Sequence, residues 1–121
     1  VTADQQGIVR KPPVKGRRFL AVDLDGTLAF YDKWRGREHI GEPIPAMVTR
    51  VKEWLAKGDV VCIFTSRVAE ETDPEVYARV HAWCEKHIGE RLYVTATKHR
   101  WMVEFWDDRN VLVETNTGRV L

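Results

Sequence analysis

The run Phe19-Leu20-Ala21-Val22 passes without a break into Asp23-Leu24-Asp25-Gly26-Thr27, and that junction limits what the chain can fold into. An unbroken apolar run leaves no polar face for water. A strand over 18–23 must therefore be buried on both sides, as strands are in a parallel sheet. Two carboxylates directly beyond it concentrate negative charge at the strand end, and Gly26-Thr27 lets the backbone turn sharply. Such a strand end suits a divalent cation and a phosphate.

The remaining sequence supplies the alternation that a parallel sheet requires. Ile44, Met47, Val48, Val51, Trp54 and Leu55 recur at helical spacing, Pro45 suits a first turn and Gly58 an end, which predicts a helix over 44–57. A strand over 60–64 follows, ending in Thr65-Ser66-Arg67. A second helix is predicted over 74–88, with Asp73 as cap, Pro74 in the first position and Val76, Val80, Trp83 and Cys84 on one face. Shorter strand-like pieces lie at 92–94, 103–106 and 111–113. The pattern predicts an α/β, three-layer, Rossmann-like domain with a small, mostly parallel sheet flanked by helices. Ligands of such sheets bind in the crevice outside the carboxyl ends of the strands.

A chain of 121 residues is enough for one compact core. Residues 1–17, with Pro12-Pro13, read as an N-terminal extension and 18–121 as a single domain. Residues 29–42 are irregular and read either as a flap over the site or as a long loop with a small hairpin. Trp54 and Trp83 are expected in the core, and His81 and His87 on helix surfaces or boundaries. Cys62 and Cys84 read as small buried residues rather than a redox pair.

Nineteen basic against 18 acidic residues give a formal charge of +1, which carries no general argument for nucleic-acid binding. Arg10, Lys11, Lys15, Arg17 and Arg18 do cluster, so a basic arm touching RNA or DNA stands as an alternative to a solvated leader. No segment approaches the roughly 20 apolar residues that span a membrane. The first residues lack the basic and apolar regions of a signal peptide. The expectation is a cytoplasmic protein with no membrane partner. His39, His81, His87 and His99 form no metal motif, and no P-loop is present.

Each predicted strand end carries polar residues: Asp23 and Asp25, then Thr65 and Ser66, then Lys98, then Asp107 and Asp108. Magnesium prefers oxygen ligands and often contacts substrate phosphate. Asp23 and Asp107 can offer carboxylates, Asp25 its backbone carbonyl, and Asp108 a direct or water-mediated contact. The Thr65 hydroxyl with nearby amides can hold phosphoryl oxygens, and Lys98 can neutralise developing charge. Taken singly, Lys98 reads as a surface lysine, Thr65 as a strand-end cap, and Asp107-Asp108-Arg109 as a solvated turn. The ordered set is what argues for a site.

On these residues the chain resembles the haloacid dehalogenase-like (HAD) phosphohydrolase superfamily. Phe19 to Leu28 matches its first motif, and Thr65, after Val61-Cys62-Ile63-Phe64, is similar to its second. Lys98 fits the third, with Arg100 as fallback, and Asp107-Asp108 the fourth. The resemblance covers residues 18–114. Gly41-Glu42-Pro43-Ile44-Pro45 and Asp107-Asp108-Arg109 are similar to a group of small members. One departure is Glu104-Phe105-Trp106, where the family often has a glycine before its acidic pair.

The resemblance implies a magnesium-dependent phosphomonoester hydrolase acting through an aspartyl-phosphate. Asp23 would be the nucleophile and a metal ligand, and Asp25 the acid and then the base. Thr65, Ser66 and Lys98 would bind phosphate, and the metal set would be Asp23, Asp25, Asp107 and Asp108. The alternatives are phosphotransfer to another acceptor, or a catalytically weak phosphate- or nucleic-acid-binding regulator. With little room for a cap, the partner would be a phosphorylated small molecule or the terminal phosphate of a larger substrate. Trp34, Arg35, Arg37 and Arg67 are candidate substrate contacts. For Arg67 the competing expectation is a salt bridge to Glu70 or Glu71, and for Trp34 it is packing under the flap. A second copy of the chain in a homodimer is another way to cover the opening.

Overall fold

The computed structural model describes residues 13–121. The segment holding Arg10 and Lys11 lies outside the described residues, and so does most of the proposed extension. Four strands, β1 (Phe19–Val22), β2 (Val60–Phe64), β3 (Tyr93–Thr95) and β4 (Met102–Trp106), form one sheet. Their spatial order is β3-β2-β1-β4, and each neighbouring pair is parallel. Helices α1 (Pro45–Ala56) and α2 (Pro74–His87) make the crossovers between β1 and β2 and between β2 and β3. The α/β class and the Rossmann-like, three-layer arrangement predicted from the sequence are borne out.

The alternation of side chains along each strand divides the core into two layers. Leu20, Val22, Val61, Ile63 and Val94 pack with Met47, Val51 and Trp54 of α1 and with Val76, Val80, Trp83 and Cys84 of α2. Phe19, Ala21, Cys62 and Met102 point the other way and pack with Val60, Phe64, Tyr93, Trp101 and Phe105. All of β1 is buried, as an apolar run between two neighbours must be. Both helices begin with proline in the first turn, and Asp73 caps α2 by accepting from the Glu75 N–H at 2.9 Å.

The cysteines are both free and buried, and burial pushes each thiol up to about 12, so neither is a ready nucleophile. His81 differs from expectation: it is buried on the core side of α2, and desolvation holds its pKa below the ordinary value. Tyr77, Val80 and Cys84 are buried with it, so Tyr77 and His81 widen the inward face of the helix beyond the residues expected there.

Residues 111–113 also differ from expectation. They do not extend the sheet, and Val113 makes an isolated antiparallel bridge with Val120. Glu114 N–H donates to Arg119 O and Leu121 N–H to Leu112 O, so this run turns back on the last residues. Three apolar residues exposed beside a completed sheet have too little burial to hold a strand there.

Between β1 and α1 the segment 29–42 is anchored at its base. Phe30 N–H donates to Glu42 O at 2.7 Å, and Ile44 N–H to Leu28 O at 2.8 Å. Glycine is required at position 41 because a Cβ there would collide with the Phe30 backbone carbonyl. The Gly41 carbonyl in turn accepts from the Trp83 indole N–H at 2.9 Å, tying the loop to α2.

Candidate functional site

In the order β3-β2-β1-β4, the chain leaves β1 toward β2 on one side and β4 lies on the other. The ends of β1 and β4 thus flank the point where the strand order reverses, which is where open parallel sheets bind ligands. Val22 pairs with Trp106, so the next residues, Asp23 and Asp107, emerge side by side. The Asp23 N–H donates to Trp106 O at 2.9 Å and fixes that register. Trp106, directly before Asp107, is held by a tilted ring contact with α1. Its ring lies 4.9 Å from Trp54 of α1, with the Arg50 guanidinium 5.7 Å above it.

Asp23, Asp107 and Asp108 converge so closely that one carboxylate oxygen from each lies within 4.8 Å of the others. Desolvation, followed by the charges of Asp107 and Asp108 and a hydrogen bond to Asp108, pushes Asp23 up to about 7. The site can hold a divalent metal ion: its donors are all oxygen, and its mutual repulsion is what a cation relieves. Hydrogen bonds between side chains and the backbone set the loop. Asp107 accepts from the Arg109 N–H at 2.8 Å, and the Asn110 side-chain amide closes onto Phe105 O at 3.0 Å.

Two residues of the opening motif shape this cluster beyond the turn that sequence reasoning gave them. Thr27 Oγ1 donates to Asp108 at 3.3 Å. Gly26, at φ +93°, lies where a Cβ would come within 2.7 Å of an Asp108 oxygen. The signal was present, since both residues adjoin the carboxylates, but the partner lies 81 residues away for Thr27 and depends on the β1–β4 pairing.

Asp25 points elsewhere. Both of its oxygens accept from Arg67, at 2.7 and 2.9 Å, in a two-pronged ion pair between residues 42 apart. Arg67 therefore pairs with neither Glu70 nor Glu71. It also donates to the backbone carbonyl of His39 at 2.8 Å, and its guanidinium lies 5.0 Å from the centre of the Trp34 ring. Thr65 is buried at the end of β2, where its oxygen accepts from the Arg67 N–H at 3.2 Å and caps a short 3-10 turn, Ser66–Val68. That bond uses the oxygen and leaves the hydroxyl proton available as a donor.

Two cavities meet at Asp23. The more polar, about 500 Å³, is lined by Asp25, Thr65, Ser66, Arg67, Tyr31, Trp34 and the Asp107-Asp108-Arg109 turn. The more apolar, about 660 Å³, is lined by Lys98 with Phe64, Val103, Phe105, Val111 and Leu112. Lys98 and Thr65 thus approach Asp23 from different sides, and the Lys98 ammonium lies 5.0 Å from the Phe105 ring centre. Of the other residues singled out in the sequence, Arg35 pairs with Asp32 at 2.7 Å, and Arg37 pairs with Asp73 at the start of α2. Arg18, counted with the basic segment, is bound to Asp59 and Glu104 at the far end of the sheet.

No protein-family model matches the chain, and no curated protein matches it. Among solved structures, the chain is similar to a conserved protein coded by a locus of Bacteroides thetaiotaomicron. The TM-score is 0.57 and the identity 24%, over 79% of this chain and 79% of that one. At that identity the likeness is one of fold.

Proposed function

We propose that the chain is a magnesium-dependent phosphomonoester hydrolase of the HAD-like type, working through an aspartyl-phosphate on Asp23. The observation that carries this reading is the convergence of Asp23, Asp107 and Asp108 at the strand-order reversal, with Asp25 and Thr65 on the same cavity wall. Asp23, Asp107 and Asp108, with the Asp25 backbone carbonyl, would hold the metal. When bound it would shield the phosphoryl charge from the attacking carboxylate.

In the first half-reaction an Asp23 oxygen forms a bond to phosphorus while the bond to the ester oxygen breaks. Asp25 delivers a proton to that leaving oxygen. In the second, Asp25 takes a proton from water as the water oxygen bonds phosphorus and the Asp23–phosphorus bond breaks. Thr65, Ser66 and Lys98 offer donors to the phosphoryl oxygens throughout. Because Arg67 holds both Asp25 oxygens, it positions this acid and must share it with the leaving group.

The test is phosphate release from a panel of monoesters with magnesium. Asp23→Asn is expected to lose on the order of a thousandfold or more in kcat/KM, and chelation to abolish the wild-type rate. Full activity in the variant would remove Asp23 as nucleophile. The two-pronged Arg67–Asp25 pair favours one second reading, a phosphate-binding regulator whose acid is sequestered. That reading expects magnesium-dependent phosphate binding without turnover on the whole panel.

A further inference from the structure

The two cavities at Asp23 are not equivalent, and the difference bears on what the phosphate is attached to. Asp25 lines the polar cavity but not the apolar one. A leaving oxygen must come within hydrogen-bond reach of its acid. On the hydrolase reading above, the leaving group therefore departs into the polar cavity, toward Trp34 and Tyr31.

Trp34 is 57% exposed, a large apolar area to leave in water at the mouth of a cavity. It is also not loose. The Arg67 guanidinium covers one face of the indole, and Arg67 is itself fixed by Asp25 and the His39 carbonyl, with its side chain only 7% exposed. The indole is thus braced from behind, with its other face toward solvent. A braced ring offers stacking area without the entropic cost of ordering it on binding. The chain of contacts through Arg67 puts the ring centre no more than about 9 Å from the Asp25 carboxylate. A ring stacked on the open face lies about 3.5 Å further out, a reach that suits a ring separated from the ester oxygen by a sugar better than one bonded directly to it. A cavity of about 500 Å³ is of the size that holds one small molecule.

From this geometry we infer that Trp34, braced by Arg67, is a leaving-group subsite for a planar aromatic ring, and that the preferred substrates are phosphate monoesters carrying such a ring near the ester oxygen. This deepens, and rests on, the hydrolase reading. Tyr31, on the same cavity wall, borders the subsite.

The experiment compares wild type, Trp34→Ala, Trp34→Phe and Asp23→Asn on phenyl phosphate, adenosine 5′-monophosphate and ribose 5-phosphate, with magnesium. Trp34→Ala is expected to lower kcat/KM for a ring-bearing ester relative to ribose 5-phosphate by about tenfold, mainly through KM, since stacking of one base has about that value. Trp34→Phe should restore most of the difference. A selective loss on adenosine monophosphate points to a nucleobase, and one on phenyl phosphate to an aryl ester. An equal fall on all three substrates, or no fall, overturns the subsite. Failure of the hydrolase reading looks different: Asp23→Asn would keep its turnover, or wild type would turn over nothing. In that case calorimetric binding of adenosine monophosphate against ribose 5-phosphate, with and without Trp34→Ala, still decides the subsite.

Discussion

Asp23 carries the strongest electrostatic signature at the scale of single residues. Its carboxyl is pushed up to about 7, first by desolvation and then by Asp107 and Asp108. A proton and a divalent cation therefore compete for the same oxygens. Magnesium affinity is expected to rise as pH increases through about 7, with proton release on binding below it, both measurable by calorimetry in buffers of different ionisation heat. The stability sign is opposite to that of a salt-bridged carboxylate. Between the ordinary carboxylate value and about 7 the folded protein holds a proton that the unfolded chain has released, so metal-free stability falls as pH rises. Magnesium should offset that loss, and the melting temperature with and without it should diverge above neutrality.

Among the elements, α2 does more than cover the sheet. Its cap, Asp73, accepts from the Glu75 N–H and also pairs with Arg37 of the 29–42 loop, while Trp83 holds the Gly41 carbonyl. Asp73→Ala should lower the melting temperature by a few degrees through the lost cap. It should also raise amide exchange in residues 36–41 more than in the sheet. Uniform exchange across both would show that the Arg37 contact does not anchor the loop. The helix and its cap were legible in the sequence because capping and periodicity are local. The anchoring of the loop was not, since it is made by side chains whose reach depends on where α2 lies.

For the whole molecule, the end of the sheet opposite the site is closed by ion pairs. Asp59 is buried and accepts from the Arg18 backbone N–H at 3.0 Å and from its guanidinium at 3.1 Å, while Arg18 also reaches Glu104 at 3.3 Å. Burial pushes Asp59 up, but Arg18 and Lys57 outweigh it and hold the group below the ordinary carboxylate value. Arg18→Met should therefore cost about 1–2 kcal/mol at neutral pH by leaving a buried carboxylate short of a donor. The deficit should shrink as acid protonates Asp59, because the wild type loses the same stabilisation as pH falls through the lowered value. Denaturant melts across the acid range would check both.

The sequence by itself determined the mostly parallel sheet and the two amphipathic helices. Doubly buried strands and 3.6-residue periodicity are local signals, whereas the strand order of the fold dictates which ends adjoin. The sequence left the direction of each polar side chain open. Tertiary structure decided that Asp25 faces Arg67, that Trp34 stands braced at the cavity mouth, that Thr27 bonds Asp108, and that His81 turns inward. The physical reason is reach: a long side chain can satisfy its charge with any of several partners, and only the folded positions of the backbone select which one lies within hydrogen-bond distance.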